Sequence, residues 1–299
     1  MKIIFDKPGQ TCNRLWSYVA LVSQAISQQS KVSILKFDNT INNFPNIIQS
    51  KYIRLPYYNK LLIGLLGIDN YIRLVEKVFF NRFTHKWTRS YWGKRGKVVD
   101  GWDYRGENYD FDKNKEIIRQ VFAPSEDVAK RIASYFQEIR KNYDVAIGVH
   151  IRRGDYAMWL NGRYFYELDD YHQVMLKYQS SVQDKKKVCF FISSNEAIDL
   201  QFFKGVNCYK HELSSPILDL YSLAACDGII GPLSTYSRWA SFYGETPIWV
   251  LESEDIKENA KIEFSVIKSL YLCENGKTFT NWTEFEKNEN RYSNPTATQ

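Results

Sequence analysis

Several features are scarce or missing in this 299-residue chain. No stretch approaches the ~18 consecutive apolar residues of a membrane span, and the opening MKIIFDKPG lacks the apolar region and cleavage site of a secretory signal. A cytoplasmic location is therefore expected. The five cysteines (Cys12, Cys189, Cys208, Cys226, Cys273) are odd in number, scattered and without CxxC spacing, which excludes an obvious disulfide or zinc framework and implies reduced, mostly buried thiols. Four histidines form no HExxH or HxH pair. Asp110-Phe111-Asp112 has the DxD spacing used for nucleotide-bound cations, and Asp169-Asp170 a similar one, but both run into helices, where capping is the commoner use. No essential metal is expected. Neither GxGxxG nor GxxxxGK[ST] occurs, and no zinc-finger, RNP or helix-turn-helix pattern points to nucleic acid. There is no repeat of 20 to 50 residues and no low-complexity tract apart from the polar end NENRYSNPTATQ, expected to fray.

Apolar residues make up 44% of the chain and aromatics 16%, ample for two packed cores. The formal charge is +6, unevenly spread: from Lys51 to Lys97 there are eleven Lys/Arg against two acids, Asp69 and Glu76, a local net of +9. That basic, aromatic-rich stretch reads either as a solvated face or as an attractor for an anionic partner such as a phosphorylated glycan or lipid headgroups.

KIIF, the helical segment after GQTC and VSILKF read as a β-α-β unit, because Leu15, Trp16, Val19, Val22 and Ile26 recur at helical spacing. Residues 60 to 83 have the periodicity of an amphipathic helix pair, and 111 to 122 that of another helix with Asp112 as its N-cap. Ala123-Pro124 followed by SED marks a linker, so an N-terminal domain of 1–125 and a C-terminal domain of 126–299 are expected. The second half alternates short, continuously apolar strands (DVAIGVHI, KVCFFIS, VNCYK, GIIG, PIWVLE) with helical segments, including NEAIDLQFF. This is the pattern of a doubly wound α/β domain with a parallel sheet.

Open parallel sheets bind ligands outside the carboxyl ends of their strands. Three polar clusters sit at such ends. His150, Arg152, Arg153, Asp155 and Tyr156 follow the first strand; one arginine could grip a diphosphate while the other buttresses it through Asp155, or the group could be a structural ion pair. Ser193, Ser194, Asn195 and Glu196 offer short groups suited to a ribose or base edge, or to capping. Ser234, Thr235, Tyr236 and Ser237 open a helix whose free amides suit a phosphate, or simply cap it. In the first domain, Gly9, Gln10, Asn13 and Arg14 form a Gly turn opening a helix.

Taken in order, these segments resemble the superfamily of α-1,2-, α-1,6- and protein O-fucosyltransferases, marked by HxRR. The likeness is greatest to the bacterial α-1,2 branch, whose HxRRGDY stands here at 150–156. LDLYSLAACDGIIGPLSTYSRWASFYG is similar to the family's DLxLMSxCxxxIIxNSSFSWWAAxL, and PGQTCNRLWSYVA to its GGLGNQMFQYA. Cys12, Arg14, Pro232 and Arg238 depart from those patterns.

The resemblance implies a GT-B architecture, two Rossmann-like domains facing across a cleft, and inverting transfer of fucose from GDP-fucose to a glycan or glycolipid in surface polysaccharide synthesis. It implies no cofactor and no metal. Arg152 would stabilise the departing diphosphate, with Asp155 a candidate base. His150 and Arg153 would shape the pocket, and Ser193 to Glu196 would meet ribose or guanine. Ser234 to Ser237 would meet phosphate and sugar, and Gly9, Gln10, Asn13 and Arg14 the sugar or acceptor. Alternative readings are another nucleotide sugar on the same fold, or a non-catalytic glycan- or nucleotide-binding protein. The basic region from 51 to 97 adds an expected peripheral contact with the inner face of a membrane.

Overall fold

The computed structural model describes residues 1–182, 186–252 and 261–278. The polar end read as frayed lies outside them. The chain divides into two compact units, Met1–Glu126 and a second beginning at Asp127.

The first unit is built on a four-stranded parallel sheet. Its chain order is β1 (Lys2–Ile4), α1 (Thr11–Ser27), β2 (Val32–Ile34), α2 (Pro45–Gln49), β3 (Ile53–Arg54), α3 (Lys60–Leu66), α4 (Ile68–Phe79), α5 (His85–Gly93), β4 (Lys97–Val99) and α6 (Phe111–Val121). The strands lie in the order β3-β2-β1-β4, so the β-α-β reading of the first residues holds: β1 and β2 pair in parallel. Leu15, Trp16, Val19, Val22 and Ile26 are all buried on α1. On the far side of α1, Asn114 of α6 donates to the Ser23 carbonyl (3.0 Å) and to Ser27 Oγ (2.7 Å), satisfying a polar contact that would otherwise oppose burial. Asp112 is not the N-cap of α6. Asp110 occupies that position in a left-handed backbone (φ 55°), its carboxylate accepting from Ser27 Oγ, while Asn108 Oδ1 accepts from the Phe111 amide. A side chain one turn earlier thus does the work expected of Asp112.

The second unit carries α7 (Glu126–Ile139), β5 (Val145–Ile151), α8 (Leu168–Val182), β6 (Val188–Ser194), β7 (Cys208–Tyr209), α9 (Pro216–Ala224), β8 (Gly228–Pro232), α10 (Thr235–Gly244), β9 (Ile248–Leu251) and a hairpin of β10 (Ile267–Ser269) and β11 (Leu272–Cys273). Strands β5 to β9 form one parallel sheet in the order β7-β6-β5-β8-β9. Every residue of β5 is buried, as continuous apolar strands covered on both faces should be. Val145, Ile147, Val149 and Ile151 share a core with Tyr171, Val174 and Met175 of α8, whereas Phe191 meets Tyr135 and Phe136 of α7 on the opposite face. On that face Gly148 leaves room for α9: a Cβ there would lie 2.6 Å from Leu223 Cδ2.

The segment NEAIDLQFF does not form the expected helix. Among these residues only Leu200–Phe202 makes a 3-10 turn, which the Asp199 carboxylate caps through the Gln201 amide (3.0 Å). Ser194 Oγ accepts from the Glu196 amide in the same way (3.2 Å), and Ile198 and Phe203 enter the core at a spacing no single helical face provides. None of the five cysteines forms a disulfide; Cys208 is half-buried and the rest buried.

Candidate active site

Outward from β5 the sheet runs to β6 and β7 on one side and to β8 and β9 on the other, so the strand order reverses between β5 and β8. At such a reversal the loops leaving adjacent strands diverge and open a crevice at their carboxyl ends. Three of the predicted clusters leave β6, β5 and β8, three neighbouring strands, at that end. Register makes the juxtaposition specific: His150 and Ile151 pair with Ser193 and Ser194.

His150 is the last buried polar residue before the turn, 3% exposed, and its ring lies 5.0 Å from that of Tyr236 at 34°. Burial, reinforced by the Arg152 charge, pulls its imidazole down to about 3, so the ring is neutral at physiological pH. Gly231 on β8 fits this approach, because a Cβ there would sit 3.0 Å from His150 Cβ.

The two arginines differ. Arg152 Nη2 donates to Asp155 Oδ2 (2.8 Å), its guanidinium stands 5.6 Å from the Tyr156 ring centroid, and its Nε is buried without a partner among the described residues. Arg153 is shared by two carboxylates, Glu167 (2.9 Å) and Glu196 (3.4 Å), and its guanidinium lies 5.2 Å from the Phe165 ring centroid. The Arg153 amide donates to Asn195 Oδ1 (3.2 Å), fastening the turn to the loop after β6. Gly154 follows at φ 23°, where a Cβ would come within 2.8 Å of Asn195 Nδ2. Arg153 therefore has its charge locally compensated, and Arg152 keeps more of its fork for another anion.

On β8's side, Ser234 caps α10: its Oγ accepts from the Tyr236 amide (3.2 Å). The Tyr156 hydroxyl donates to the Leu233 carbonyl (2.9 Å), tying the HIRRGDY turn to this loop, and the Tyr236 hydroxyl donates to the Pro216 carbonyl (2.6 Å). Ser237 is fully buried and its Oγ has no partner among the described residues; Thr235 is half-buried. The first amides of α10 carry the positive end of its dipole, a setting that favours an anion. Arg238, the charged departure noted in the sequence, is wholly buried one turn further on, and burial pulls it down to about 10.

In the first unit, Gly9 (φ 41°), Gln10, Asn13 and Arg14 lie together after β1. Arg14 pairs with Asp38 and its Nη2 donates to the Gly9 carbonyl (2.6 Å). Gln10 is the exposed N-cap residue of α1 and makes no side-chain cap bond. Asp6, which the sequence reading passed over, accepts from the amides of Gly101 (2.7 Å) and Trp102 (3.0 Å) and pins the loop after β4 to the loop after β1. Burial raises its carboxyl above the usual range. Glu167 was likewise missed, as was Phe165; both reach Arg153 from the segment before α8, where only the acid-rich ELDD hints at a cationic partner. Among the described residues no three His, Cys, Asp or Glu side chains converge as a metal site would require.

No curated protein sequence matches the chain. Solved structures share its fold, three of them as follows. An arginine-to-lysine mutant of FUT1 from Arabidopsis thaliana, in complex with GDP, is 12% identical with a TM-score of 0.56, over 95% of this chain and 78% of that one. POFUT1 in complex with GDP is 10% identical with a TM-score of 0.51, over 82% and 95%. POFUT1 in complex with GDP-fucose is 9% identical with a TM-score of 0.50, over 81% and 93%. Residues 19–259, the larger part of the sequence, match the family model of glycosyl transferase family 11, and the chain belongs to that family.

Proposed function

We propose that the protein transfers fucose from GDP-fucose to a hydroxyl of a glycan or glycolipid, with inversion, in the synthesis of a bacterial surface polysaccharide. The observation that carries this reading is the meeting of three clusters at the ends of β6, β5 and β8, where Arg153 lies between two carboxylates, Glu167 and Glu196, while Arg152 meets one, Asp155. The structures of POFUT1 with GDP-fucose and of FUT1 with GDP support a guanosine diphosphate donor.

In this reading Arg152 and the amides opening α10 receive the diphosphate. As the acceptor oxygen attacks the anomeric carbon from the opposite face, the bond to the β-phosphate oxygen breaks and GDP gains charge. A fixed cation already in place stabilises that charge more than it stabilises the ground state. The same fixed charge can serve where other transferases use a cation, so turnover is expected to persist in a chelator. Asp155 is more than half exposed and engaged by Arg152, which favours a positioning role over that of the base. Asn195 and Glu196 act on Arg153 and through it shape the pocket, and Ser193 and Ser194 line its ribose side. His150, neutral and tilted against the Tyr236 ring, shapes the pocket without exchanging protons. Gly9, Gln10, Asn13 and Arg14 are assigned to sugar or acceptor contacts.

The departure of Pro232 and Arg238 from the family pattern leaves one second reading, the same chemistry with a different nucleotide sugar. A panel of GDP, UDP, TDP and CMP by thermal shift decides between them, because a ligand of the native state raises the melting temperature. Stabilisation by GDP alone, with GDP released from GDP-fucose on adding acceptor, is expected. Turnover of another nucleotide sugar would overturn the donor assignment, and binding without turnover of any would make the protein a binder.

A further inference from the structure

We propose that the outer surface of α3, α4 and α5 is a docking face for an anionic lipid bilayer. This rests on observations separate from the transfer reaction. Helix α3, KLLIGLL, is apolar at nearly every position, yet none of its residues is buried. Leu61 is 73% exposed and Leu65 72%. Helix α4 turns Tyr71, Ile72 and Val75 inward and leaves Leu74 and Val78 outside; beyond it Phe83 is 86% exposed and Trp87 83%. Of the fourteen exposed large hydrophobic side chains among the described residues, ten fall between Leu61 and Tyr91. Single exposed apolar residues are ordinary, but this concentration marks a surface that meets something apolar.

The charge identifies what. Eight Lys and Arg side chains between positions 60 and 95 are exposed, Arg73, Lys77 and Lys86 among them, against one exposed acid, Asp69; Glu76 is paired with Lys7. A second copy of the same face would set like charges against each other. Four of the eight are lysines, which protein–protein interfaces disfavour. Nucleic acid would use the aromatics for stacking but has no use for the leucines of α3. An anionic bilayer uses all three: leucines enter the acyl boundary, Trp87 and Tyr91 sit at headgroup depth, and basic side chains extend their stems to the phosphates. No helix among the described residues is long and apolar enough to cross a membrane, so the face lies on the surface rather than spanning it.

The test uses the full chain and flotation on vesicles of neutral phosphatidylcholine, or with about 30% phosphatidylglycerol added. Expected is binding about tenfold or more stronger to the anionic vesicles, weakened but not abolished by high salt, with a blue shift of Trp fluorescence that Trp87→Phe removes. The triple variant Leu61→Ser, Leu65→Ser, Trp87→Ser and the triple variant Arg73→Glu, Lys77→Glu, Lys86→Glu should each bind about tenfold or more weakly while keeping the parental melting temperature and GDP affinity. The proposal is overturned if the parent fails to bind, binds both vesicle types equally, or keeps its fluorescence unchanged on binding. Unimpaired binding by the apolar variant overturns it too, as do self-association in place of vesicle binding and tighter binding to an oligonucleotide than to anionic vesicles. Should a variant unfold, the salt response and Trp87 fluorescence of the parent still decide.

Discussion

Replacing Arg152 by alanine separates what this side chain does for the fold from what it does for the reaction. Its visible partner is Asp155, at 2.8 Å, and the two side chains are 18% and 58% exposed. A pair with one end in water contributes about 0–1 kcal/mol after screening. The melting temperature should therefore fall by no more than about 4 °C. The catalytic loss is set by a different quantity. Removing one preorganised donor from charge that grows in the transition state lowers kcat by about 10²–10³, or roughly 3–4 kcal/mol. Activity should thus fall several times further, in free energy, than stability. Arg152→Lys keeps the charge but loses the fork and should fall between, by about tenfold to a hundredfold. Initial rates at saturating GDP-fucose, GDP affinity by calorimetry and a thermal melt, run on the same preparations, give the three numbers. An Arg152→Ala variant that retains more than about a tenth of the parental kcat, or whose activity loss is matched by an equal loss of stability, refutes the assignment.

Gly148→Ala forces a methyl against Leu223 Cδ2 and Cys226 Sγ (2.6 and 3.2 Å from the added Cβ) and should destabilise the protein by about 1–3 kcal/mol in urea titration; a gain in stability would contradict the packing described. His150 titrates near 6.5 when unfolded and is pulled down to about 3 when folded, so its contribution is full above pH 6.5 and is lost as pH falls toward 3. Between pH 6.5 and 5 this amounts to about 2 kcal/mol, and the urea midpoint of His150→Gln should show a shallower acid slope than the parent. Asp219 behaves oppositely: burial raises its carboxyl to about 6, so stability is highest below pH 3.8 and declines as pH rises through 6. Asp219→Asn should stabilise the protein by about 1–3 kcal/mol at pH 7 and confer no gain at pH 3.5; an equal gain at both would place the cause elsewhere.

How far the sequence could be read depended on the range of the interaction involved. The second-half strands announce themselves because burial on both faces demands unbroken apolar runs, and the cap at Ser234 was visible because capping is local. Strands β3 and β4, two and three residues long, are too short to carry a period. Helix α7 was not read, although Val128, Ile132, Phe136 and Ile139 form a helical stripe, because the polar SED at its start has the composition of a linker. The failure at NEAIDLQFF has a single origin: its helix-forming composition is outcompeted by Ser194 and Asp199, whose side chains offer the backbone nearby turns instead. The HIRRGDY turn could be placed at a strand end, but the acids of ELDD do not say which cation Glu167 meets, and the adjacency of β8 to β5 leaves no local trace. The first depends on how the β5–α8 connection folds back on itself and the second on sheet order, neither of which short-range pattern encodes.

The fastening of the Arg153 turn by Asn195 and Glu196 bears on any attempt to re-engineer the donor pocket. Those two residues lie after β6, on the side assigned to ribose and base, yet their side chains hold the loop that carries Arg152. In the proposed reading, choice of base and departure of the leaving group are therefore written on one mechanical part. An exchange of Asn195 made to admit another nucleotide would loosen the loop beside the diphosphate, so altered preference and slower turnover should arrive together. Selectivity and rate could be tuned apart only by supplying the Arg153 amide with a new acceptor in the same step.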